Sequence, residues 1–432
     1  MPNLKDKKQM FSFLAAAGFF ILFEIVFLYK LIQIFKINHA PLVEFYVILS
    51  TIFLLSRPII NLFYHDHHEH GELDQFEKLP KVSIIIAGKN EGNSIYETIE
   101  SCMTSDYRGA FELIAVNDGS TDNTEEEMLR AKKDFETKKN PVNVISFSEN
   151  RGKREGMYEG VKVARGEILV FIDSDSFVEK EAISTIVKHF VSDEKIGAVS
   201  GNTLVENDDQ NTLTKMQSAR YGISFDVFKS CESVFNCVTC CPGCFSAYRT
   251  IAVREVIDAW KERKVFNIPG TFGDDRSLTN FILKTGWKVI YCRHAVATTI
   301  VPDTYKQFIK QQLRWKKSWV REGLFGAAAF MWKKHPIAAS SFYINLVIPF
   351  VGPIIVVMGL ASKIIQGQWI YALIFCLSVS IMSLAYGLYH YSITKRKGFL
   401  YSIPFTLFYS IVLVWQMPWA IIRMGDTKWG TR

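Results

Sequence analysis

Apolar residues are concentrated in five long stretches that flank a more polar central region. The stretches cover residues 11–34, 42–63, 336–361, 369–391 and 399–424. Each is long enough to cross a hydrocarbon core of about 30 Å, which takes about 20 helical residues. Between the second and third stretches, the composition is that of an ordinary soluble domain. The pattern predicts a membrane protein with a large domain between its second and third spans.

Charges beside these stretches indicate which side of the membrane holds the central domain. Three lysines lie in residues 5–8, and a basic run occupies residues 395–397. Basic flanking segments favour the cytosolic side, and two crossings return the chain to the side on which it started. We therefore expect an integral protein of the plasma or cytoplasmic membrane whose central domain lies in the cytosol. A cleaved signal peptide is the alternative for residues 11–34. It is disfavoured because a second apolar stretch follows closely.

The central region alternates short apolar runs with helical patterns. Each apolar, β-branched run ends in a polar loop, which is typical of a buried strand. Strands are predicted at residues 82–87, 112–116, 142–147 and 167–172, with helices at 94–103, from 122 and at 153–163. This rhythm predicts an α/β fold with a doubly wound, mostly parallel sheet. Ligands of such sheets bind at the carboxyl ends of the strands, where the polar loops lie.

Asp173-Ser174-Asp175 directly follows one of the predicted strands. Alternate residues of an extended chain point the same way, so both carboxylates can face one cation. Hard oxygen ligands with open positions suit Mg²⁺ or Mn²⁺ carrying a diphosphate. A solvated turn is the alternative for an isolated Asp-x-Asp. The polar loops at two earlier strand ends favour a nucleotide-sugar site instead.

Six motifs follow one another in order along the central region. They are Asn90-Glu91, Val116-Asn117-Asp118-Gly119-Ser120-Thr121-Asp122, Asn150-Arg151-Gly152-Lys153-Arg154, Asp173-Ser174-Asp175, Gly273-Asp274-Asp275-Arg276 and Gln311-Gln312-Leu313-Arg314-Trp315. This series resembles the processive family 2 glycosyltransferases, which make hyaluronan, chitin and cellulose. The resemblance is marked toward hyaluronan synthases, and it returns at Trp429-Gly430-Thr431-Arg432. It implies a GT-A-type fold and an inverting transfer from UDP-sugar donors to a growing polysaccharide.

The resemblance also implies a donor site. Asp118 would help hold the uridine with Glu91 and Asp122 nearby, and Lys153 would offer a point charge to phosphate. The metal, Mg²⁺ or Mn²⁺, would be held by Asp175 with Asp173 behind it. The other residues implied on the donor side are Gln311, Arg314, Trp315, Trp429, Thr431 and Arg432.

For the reaction itself, the resemblance implies that Asp275 is the general base, with Asp274 beside it. Arg314 would stabilise developing charge on the diphosphate. Trp315 would offer a ring face to the acceptor sugar, next to Cys244 in an acceptor-side loop. A salt-bridged helix start is the alternative for Asp274-Asp275-Arg276, and an interfacial anchor is a compatible alternative for Trp315.

Two features leave the polymer open. The Pro242-Gly243-Cys244 loop looks more like chitin synthases, and residues 298–304 resemble the chitooligosaccharide synthases of nodulation. The leading hypothesis is therefore a hyaluronan-type polymer from UDP-GlcNAc and UDP-glucuronate, and the alternative is a chitin-type polymer from UDP-GlcNAc alone.

Four cysteines spaced C-x₂-C-C-x₂-C at residues 237–244 indicate either cysteines that line a buried loop or, less well supported, a zinc site. The net charge of +7 does not indicate nucleic acid, because the basic clusters lie beside apolar stretches or in the motifs.

These patterns divide the chain into four regions. They are an N-terminal transmembrane hairpin at 1–70, a cytosolic glycosyltransferase domain at 71–300, interfacial amphipathic helices that contact lipid at 301–335, and C-terminal spans with a gating tail at 336–432. Three full crossings after residue 335 would place the tail outside, whereas the resemblance places it in the cytosol. Because residues 399–424 contain Pro404 and Pro418, we expect that stretch to be broken or partly interfacial. The oligomeric state is not predicted.

Overall fold

A computed structural model describes residues 41–66, 79–270, 272–355 and 360–425. The predicted first span at 11–34 and the C-terminal tetrapeptide lie outside the described residues. Strands and helices form where the apolar runs and helical patterns predict them in residues 82–172. The strands are β1 (Val82–Gly88), β2 (Phe111–Asn117), β3 (Val142–Ser146), β4 (Ile168–Asp173), β5 (Ser176–Val178), β6 (Ile196–Val205), β7 (Ser246–Arg249), β8 (Lys264–Val265), β9 (Ile268–Pro269) and β10 (Lys288–Thr299).

The helices lie on both faces of the sheet and beyond its carboxyl edge. They are α1 (Pro41–Asn61), α2 (Ile95–Met103), α3 (Thr124–Phe135), α4 (Lys153–Val163), α5 (Ala182–Ser192), α6 (Thr212–Ile223), α7 (Ser230–Val234), α8 (Thr250–Arg254), α9 (Ile257–Lys261), α10 (Asp274–Lys284), α11 (Tyr305–Ser318), α12 (Pro336–Ile355), α13 (Ser362–Ile365), α14 (Ile370–Thr394), α15 (Ser402–Phe408) and α16 (Gln416–Ile422). Wider π-helical turns follow α6, α11 and α15, at Ser224–Lys229, Trp319–Leu324 and Tyr409–Leu413.

Eight strands form one sheet in the order β3-β2-β1-β4-β7-β6-β10-β5. The half built from β1 to β4 is parallel, as the alternating pattern predicts. The other half is mixed, because β7 runs antiparallel to both β4 and β6, whereas β6 and β10 are parallel. Two buried apolar clusters, one on each face of the sheet, hold it in place. The fold is therefore α/β with a mixed, largely parallel sheet.

The register of the central strands places three polar loops at one edge of the sheet. Gly88 at the end of β1 pairs with Asn117 at the end of β2, and Ala87 pairs with Asp173 at the end of β4. All seven positions of β1 and all seven of β2 are buried, so these strands are rigid supports. The loops that follow β1, β2 and β4 therefore begin at the same level, beside one another.

Two described helices are long and apolar enough to cross a membrane: Pro336–Ile354 and Ile370–Thr394. A third candidate is the pair Phe399–Leu413 and Gln416–Ile422, which bends by 47° at the break between them. Pro418 lies in the first turn of the second helix, where proline is tolerated but cannot continue a preceding helix. The apolar part of α1, Ile48–Asn61, is shorter than a bilayer requires. The N-terminal hairpin thus remains a prediction.

Candidate active site

Two carboxylates follow β4, where the sequence predicts a metal site. Asp173 ends the strand, and Asp175 lies two residues further on. Lys153, the first residue of α4, is ion-paired with Asp173 Oδ1. All three residues line one large cavity. The structure therefore brings the predicted phosphate-binding lysine and the predicted metal-binding pair together.

The charge of Lys153 is set by its surroundings. Burial lowers its pKa, but Asp173, and then Asp275 at longer range, raise it more, so the pKa ends above its ordinary value. The amine therefore stays charged at neutral pH. It reduces the net negative charge of the carboxylate cluster and leaves a cation beside the place where a diphosphate would lie.

Three predicted donor-site residues, Asp118, Asp122 and Glu91, make hydrogen bonds within the loops and do not line the cavity. Asp118 is buried and accepts hydrogen bonds from the backbone N–H groups of Arg151 (2.6 Å) and Gly152 (2.9 Å), just before α4. Asp122 accepts from Gly92 N (3.2 Å) and from the backbone N–H of Thr124 (3.1 Å), the first residue of α3. In this way Asp118 fixes the loop that carries Lys153.

Glu91 lies in the loop after β1, beside the same edge. Its backbone N–H donates to Thr124 Oγ1 (2.8 Å), and its Oε2 accepts from Ser94 Oγ at 3.4 Å. Ser94 lines the cavity, and the carbonyl of Ser174, at 2.9 Å, is the nearer acceptor for its single O–H group. Glu91 is therefore linked through Ser94 to the cavity wall and to the Asp173-Ser174-Asp175 loop.

The Gly-Asp-Asp-Arg motif starts α10, and its two aspartates have different surroundings. The Asp274 carboxylate is buried and accepts from Arg154 Nε at 2.7 Å, while the Asp274 carbonyl accepts from Trp260 Nε1 at 3.2 Å. The Arg154–Asp274 ion pair is the salt-bridged helix start that the sequence analysis gave as an alternative. Asp275 lines the cavity, and its Oδ2 lies 3.6 Å from the Cys240 thiol, which donates to it.

Gly273 couples this motif to α11. Its φ of +75° is in the left-handed region, where a Cβ costs about 1–2 kcal/mol. A Cβ there would also lie 2.0 Å from Ser318 Oγ and 2.8 Å from Ser318 Cβ. Only glycine fits, because α11 packs directly against the start of α10. Asp275 is thereby held at a fixed position relative to the Gln-Gln-x-Arg-Trp motif.

Residues of α11 form another wall of the cavity. Gln311, Arg314 and Trp315 all line it. The Trp315 side chain is 42% exposed, and its ring centroid lies 6.3 Å from that of Tyr221 in α6. An accessible aromatic face beside a second aromatic ring is the surface on which a sugar ring can stack. The helix also bears the amphipathic, basic pattern predicted for an interfacial segment.

The cysteine-rich loop, residues 237–244, also lines the cavity. Burial and the nearby carboxylates of Asp173 and Asp175 raise the pKa of the Cys244 thiol well above its ordinary value, so the thiol is neutral. A Cβ on Gly243 would lie 2.6 Å from Asp173 Oδ1, so the loop contacts the carboxylate pair directly. Within the described residues, the four cysteines of this loop do not assemble a metal-ligand group. The buried-loop interpretation is the one that the structure favours.

The cavity has a volume of about 1490 Å³ and reaches from the strand tips to the apolar helices. Its far part is lined by described residues of α1, α12, α14 and the bent pair at 399–422, none of which is charged. The amide of Asn345 and a set of hydroxyl groups provide its polar surface there; the hydroxyl groups belong to Tyr46, Ser50, Thr51, Tyr371, Ser378, Ser383, Tyr386, Ser402, Thr406, Tyr409 and Ser410. The cavity thus connects the carboxylates with a group of apolar helices that includes the candidate membrane spans.

Sequence reasoning missed part of the cavity wall. Arg220 and Tyr221 from α6 line it, as do Lys229 and Glu232. Lys229 donates to the carbonyl of Cys240, and Glu232 accepts from Thr239 N at 2.9 Å, so both support the cysteine-rich loop. Basic and aromatic residues recur in residues 220–229, and this signal could have marked the segment.

The predicted tail residues Trp429, Thr431 and Arg432 lie outside the described residues. Their predicted place over the donor site is therefore not tested by the geometry. The described chain ends at residue 425, and Gly425 is close to Ile268 near the β8–β9 hairpin.

Comparisons with known proteins identify the domain that carries the strand-tip carboxylates. Residues 83–255 match the model of "Glycosyl transferase family 2". The chain carries a family 2 glycosyltransferase domain. An N-acetylglucosaminyltransferase of Azorhizobium caulinodans is 27% identical over 373 residues, covering 84% of this chain and 89% of that one. The hyaluronan synthase of Streptococcus pyogenes is also 27% identical, covering 82% and 83%.

The fold of this glycosyltransferase is also found in a solved structure. A mannosyltransferase from Pyrobaculum calidifontis, solved with GDP-mannose and Mn²⁺, superposes with a TM-score of 0.56 over 85% of this chain and 98% of that one. At 18% identity the likeness concerns the fold, which is GT-A-like. The resemblance to hyaluronan- and chitin-synthase-type enzymes, the α/β fold and the enzymatic class are thus confirmed.

Proposed function

We propose that this glycosyltransferase is a processive, inverting enzyme that polymerises sugars from UDP-GlcNAc, with UDP-glucuronate as second donor, into a hyaluronan-type polysaccharide and passes it across the membrane. One observation carries the proposal: a single cavity joins the strand-tip carboxylates to uncharged membrane-spanning helices. A transferase that only moved one sugar at the membrane surface would not need such a passage. The sugar, N-acetylglucosamine, is taken from the name of the N-acetylglucosaminyltransferases among the relatives.

The donor would bind at the carboxyl edge of the sheet. Asp173 and Asp175 offer hard oxygen ligands on the cavity wall, which fit Mg²⁺ or Mn²⁺. When bound, the metal ion would neutralise charge on the leaving diphosphate. Lys153 at the N-terminus of α4 would bind phosphate, assisted by the helix dipole. Asp118 would act by fixing the loop before Lys153, since its oxygens accept from that backbone.

The acceptor would lie between α11 and the cysteine-rich loop. Trp315 would stack on the acceptor sugar and Cys244 would contact it. Asp275 would take the proton of the attacking hydroxyl, since its carboxylate lines the cavity and is held by α10. Arg314, from the same helix as Trp315, would stabilise charge on the leaving diphosphate. Asp274 would position this motif through Arg154 rather than touch the substrate.

Attack by the acceptor oxygen on the anomeric carbon forms the new C–O bond as the bond to UDP breaks. One displacement inverts the configuration, so an α-linked donor gives a β-linkage. The product then has a path away from the carboxylates, because the cavity continues between α1, α12, α14 and the bent pair. A sugar chain can move past the hydroxyl groups and aromatic rings on that path, because these groups bind it only weakly.

A GlcNAc homopolymer of chitin type is the second candidate. The described membrane helices that line the cavity contribute no cation for a glucuronate carboxylate, and the cations beside them, Arg220 and Lys316, come from α6 and α11. The N-acetylglucosaminyltransferase of Azorhizobium caulinodans also matches as much of the chain as the streptococcal hyaluronan synthase does. Both candidates use the same residues for the reaction and differ in the second donor.

Purified protein in lipid vesicles, given radiolabelled UDP-GlcNAc with or without UDP-glucuronate, distinguishes the candidates. The hyaluronan-type proposal predicts high-molecular-weight product only with both donors, degraded by hyaluronidase. Long, chitinase-sensitive chains from UDP-GlcNAc alone would contradict it and establish the homopolymer. Release of single sugars onto lipid, with no polymer under either condition, would overturn processive synthesis altogether.

A further inference from the structure

A second group of potential metal ligands lies away from the catalytic cavity, where α1 meets the catalytic domain. Asp66 follows α1 by five residues, His189 is in the last turn of α5, and Cys292 is in the middle of β10. Their ligand atoms all lie within 4.8 Å of one another. Cys292 is seven residues from Thr299, the cavity-lining end of β10, so about 20 Å separates the two places along the strand.

The distance between two of these atoms matches a metal site. His189 Nε2 and Asp66 Oδ1 are 3.4 Å apart. Two ligands about 2.0–2.2 Å from a tetrahedral zinc ion are about 3.3–3.5 Å from each other. The pair is therefore spaced as adjacent ligands of one ion, and the Cys292 sulfur lies within the same group.

The Asp66 carboxylate is held in place by other groups, as carboxylate ligands of metal ions usually are. Asp66 Oδ2 accepts from the backbone N–H of Arg293 at 3.0 Å and lies 2.8 Å from His294 Nδ1. These contacts hold the carboxylate plane and leave Oδ1 on the side of His189 and Cys292. Outer partners of this kind fix ligand geometry in known metal sites.

Burial gives the group a second unusual property. His189 is 1% exposed, Cys292 is fully buried, and the Asp66 side chain is 8% exposed. An aspartate and a histidine are rarely buried together beside a cysteine in an apolar core. Cys292 belongs to the same buried apolar cluster that supports β1 and β4.

We propose that Asp66, His189 and Cys292 bind a structural zinc ion that fastens the end of α1 to the catalytic domain. The set of one carboxylate, one imidazole and one thiolate suits zinc, whereas Mg²⁺ prefers oxygen ligands throughout. Binding releases the thiol proton of Cys292 to solvent, and the three side chains leave one tetrahedral position for a water molecule, as in zinc sites with three protein ligands. The ion joins the segment after α1 to α5 and β10, which are more than 120 residues away along the chain.

The test uses the purified full-length protein, handled without chelator. Elemental analysis of wild type should find about one zinc ion per chain. Cobalt substitution of the wild type should give tetrahedral Co²⁺ bands with thiolate-to-metal charge transfer. Cys292→Ser and His189→Asn should lose both signals. Cys102→Ser is the matched control, because Cys102 is equally buried in the same apolar cluster but is not in the ligand group.

Zinc that is retained by wild type and Cys102→Ser but lost in Cys292→Ser supports the site. Wild-type protein without stoichiometric zinc that also fails to bind added Zn²⁺ or Co²⁺ overturns it, whatever the variants do. Equal zinc in wild type and Cys292→Ser overturns it too, because the ion then lies elsewhere. A thermal-unfolding shift on adding Zn²⁺ to metal-stripped protein should appear in wild type and Cys102→Ser alone.

Discussion

Replacing Gly273 with alanine tests whether close packing of α10 against α11 positions the catalytic groups. The residue has φ of +75°, so alanine pays a backbone cost of about 1–2 kcal/mol. The new Cβ would lie 2.0 Å from Ser318 Oγ, against a normal contact of about 3.5–4.0 Å. Rotating the Ser318 side chain relieves this contact but not the one to Ser318 Cβ at 2.8 Å, so the two helices must separate by about 1 Å. A displacement of that size at a catalytic group typically costs about 10²-fold in rate.

Gly286, at the other end of α10, provides the matched control. Its φ is +98°, and a Cβ there meets nothing within 4 Å. Gly286→Ala should therefore lower stability by a similar backbone cost and leave kcat within a few-fold. Thermal unfolding of both variants measures the backbone cost to stability, and radiolabelled polymer synthesis measures the loss of rate from displaced catalytic groups.

A second variant isolates the contact itself. Adding Ser318→Gly to Gly273→Ala removes the clashing atoms, and the nearest remaining Ser318 atom lies 3.6 Å from the alanine Cβ. Much of the lost rate should return. Equal rates for Gly273→Ala and Gly286→Ala, or no recovery in the double variant, would refute the reasoning that α11 fixes the position of Asp275.

Three further predictions concern other groups of the site. Synthesis should stop in excess EDTA and return with Mn²⁺ or Mg²⁺, and Asp175→Ala should mimic the chelator; full turnover in EDTA would exclude the metal. Gly243→Ala should raise the KM for donor about tenfold, because its Cβ would displace the Asp173 carboxylate that is proposed to hold the metal and diphosphate, a charge-assisted contact worth about 1.5 kcal/mol. Burial lowers the pKa of Lys316 to about 7. The unfolded chain then binds more protons than the folded chain from about pH 7 up to the ordinary lysine pKa, so stability should rise with pH across that window, and Lys316→Met should remove the rise in thermal-unfolding scans.

The parallel half of the sheet could be predicted because its strands are apolar at nearly every position. β1 and β4 are continuous apolar runs that end in polar loops, and burial on both faces requires such runs. The other half was not predicted. β6 contains Ser200, Asn202 and Thr203, which are buried in the sheet although they are polar. A pattern that depends on apolar side chains does not detect such a strand.

The site shows a similar division between local and distant contacts. Asp173 and Asp175 could be placed from sequence because the strand before them sets their direction. The partner of Asp274 could not, since Arg154 is 120 residues earlier in the chain. Lys229 was missed although its partner is only 11 residues away, because the contact with the Cys240 carbonyl exists only once the π-helical turn packs beside the loop.

The central claim is that Asp275 is the base in a cavity that binds UDP-GlcNAc. Its most direct test compares Asp275→Asn with wild type in two measurements: polymer formed from radiolabelled donors, and affinity for UDP-GlcNAc by calorimetry. Asp303→Asn is the control, because Asp303 lines the same cavity but accepts from Gln210. Asp275→Asn should lower synthesis by about 10²–10⁴-fold and leave donor affinity within severalfold, with Asp303→Asn near wild type. Near-normal synthesis by Asp275→Asn would contradict the account.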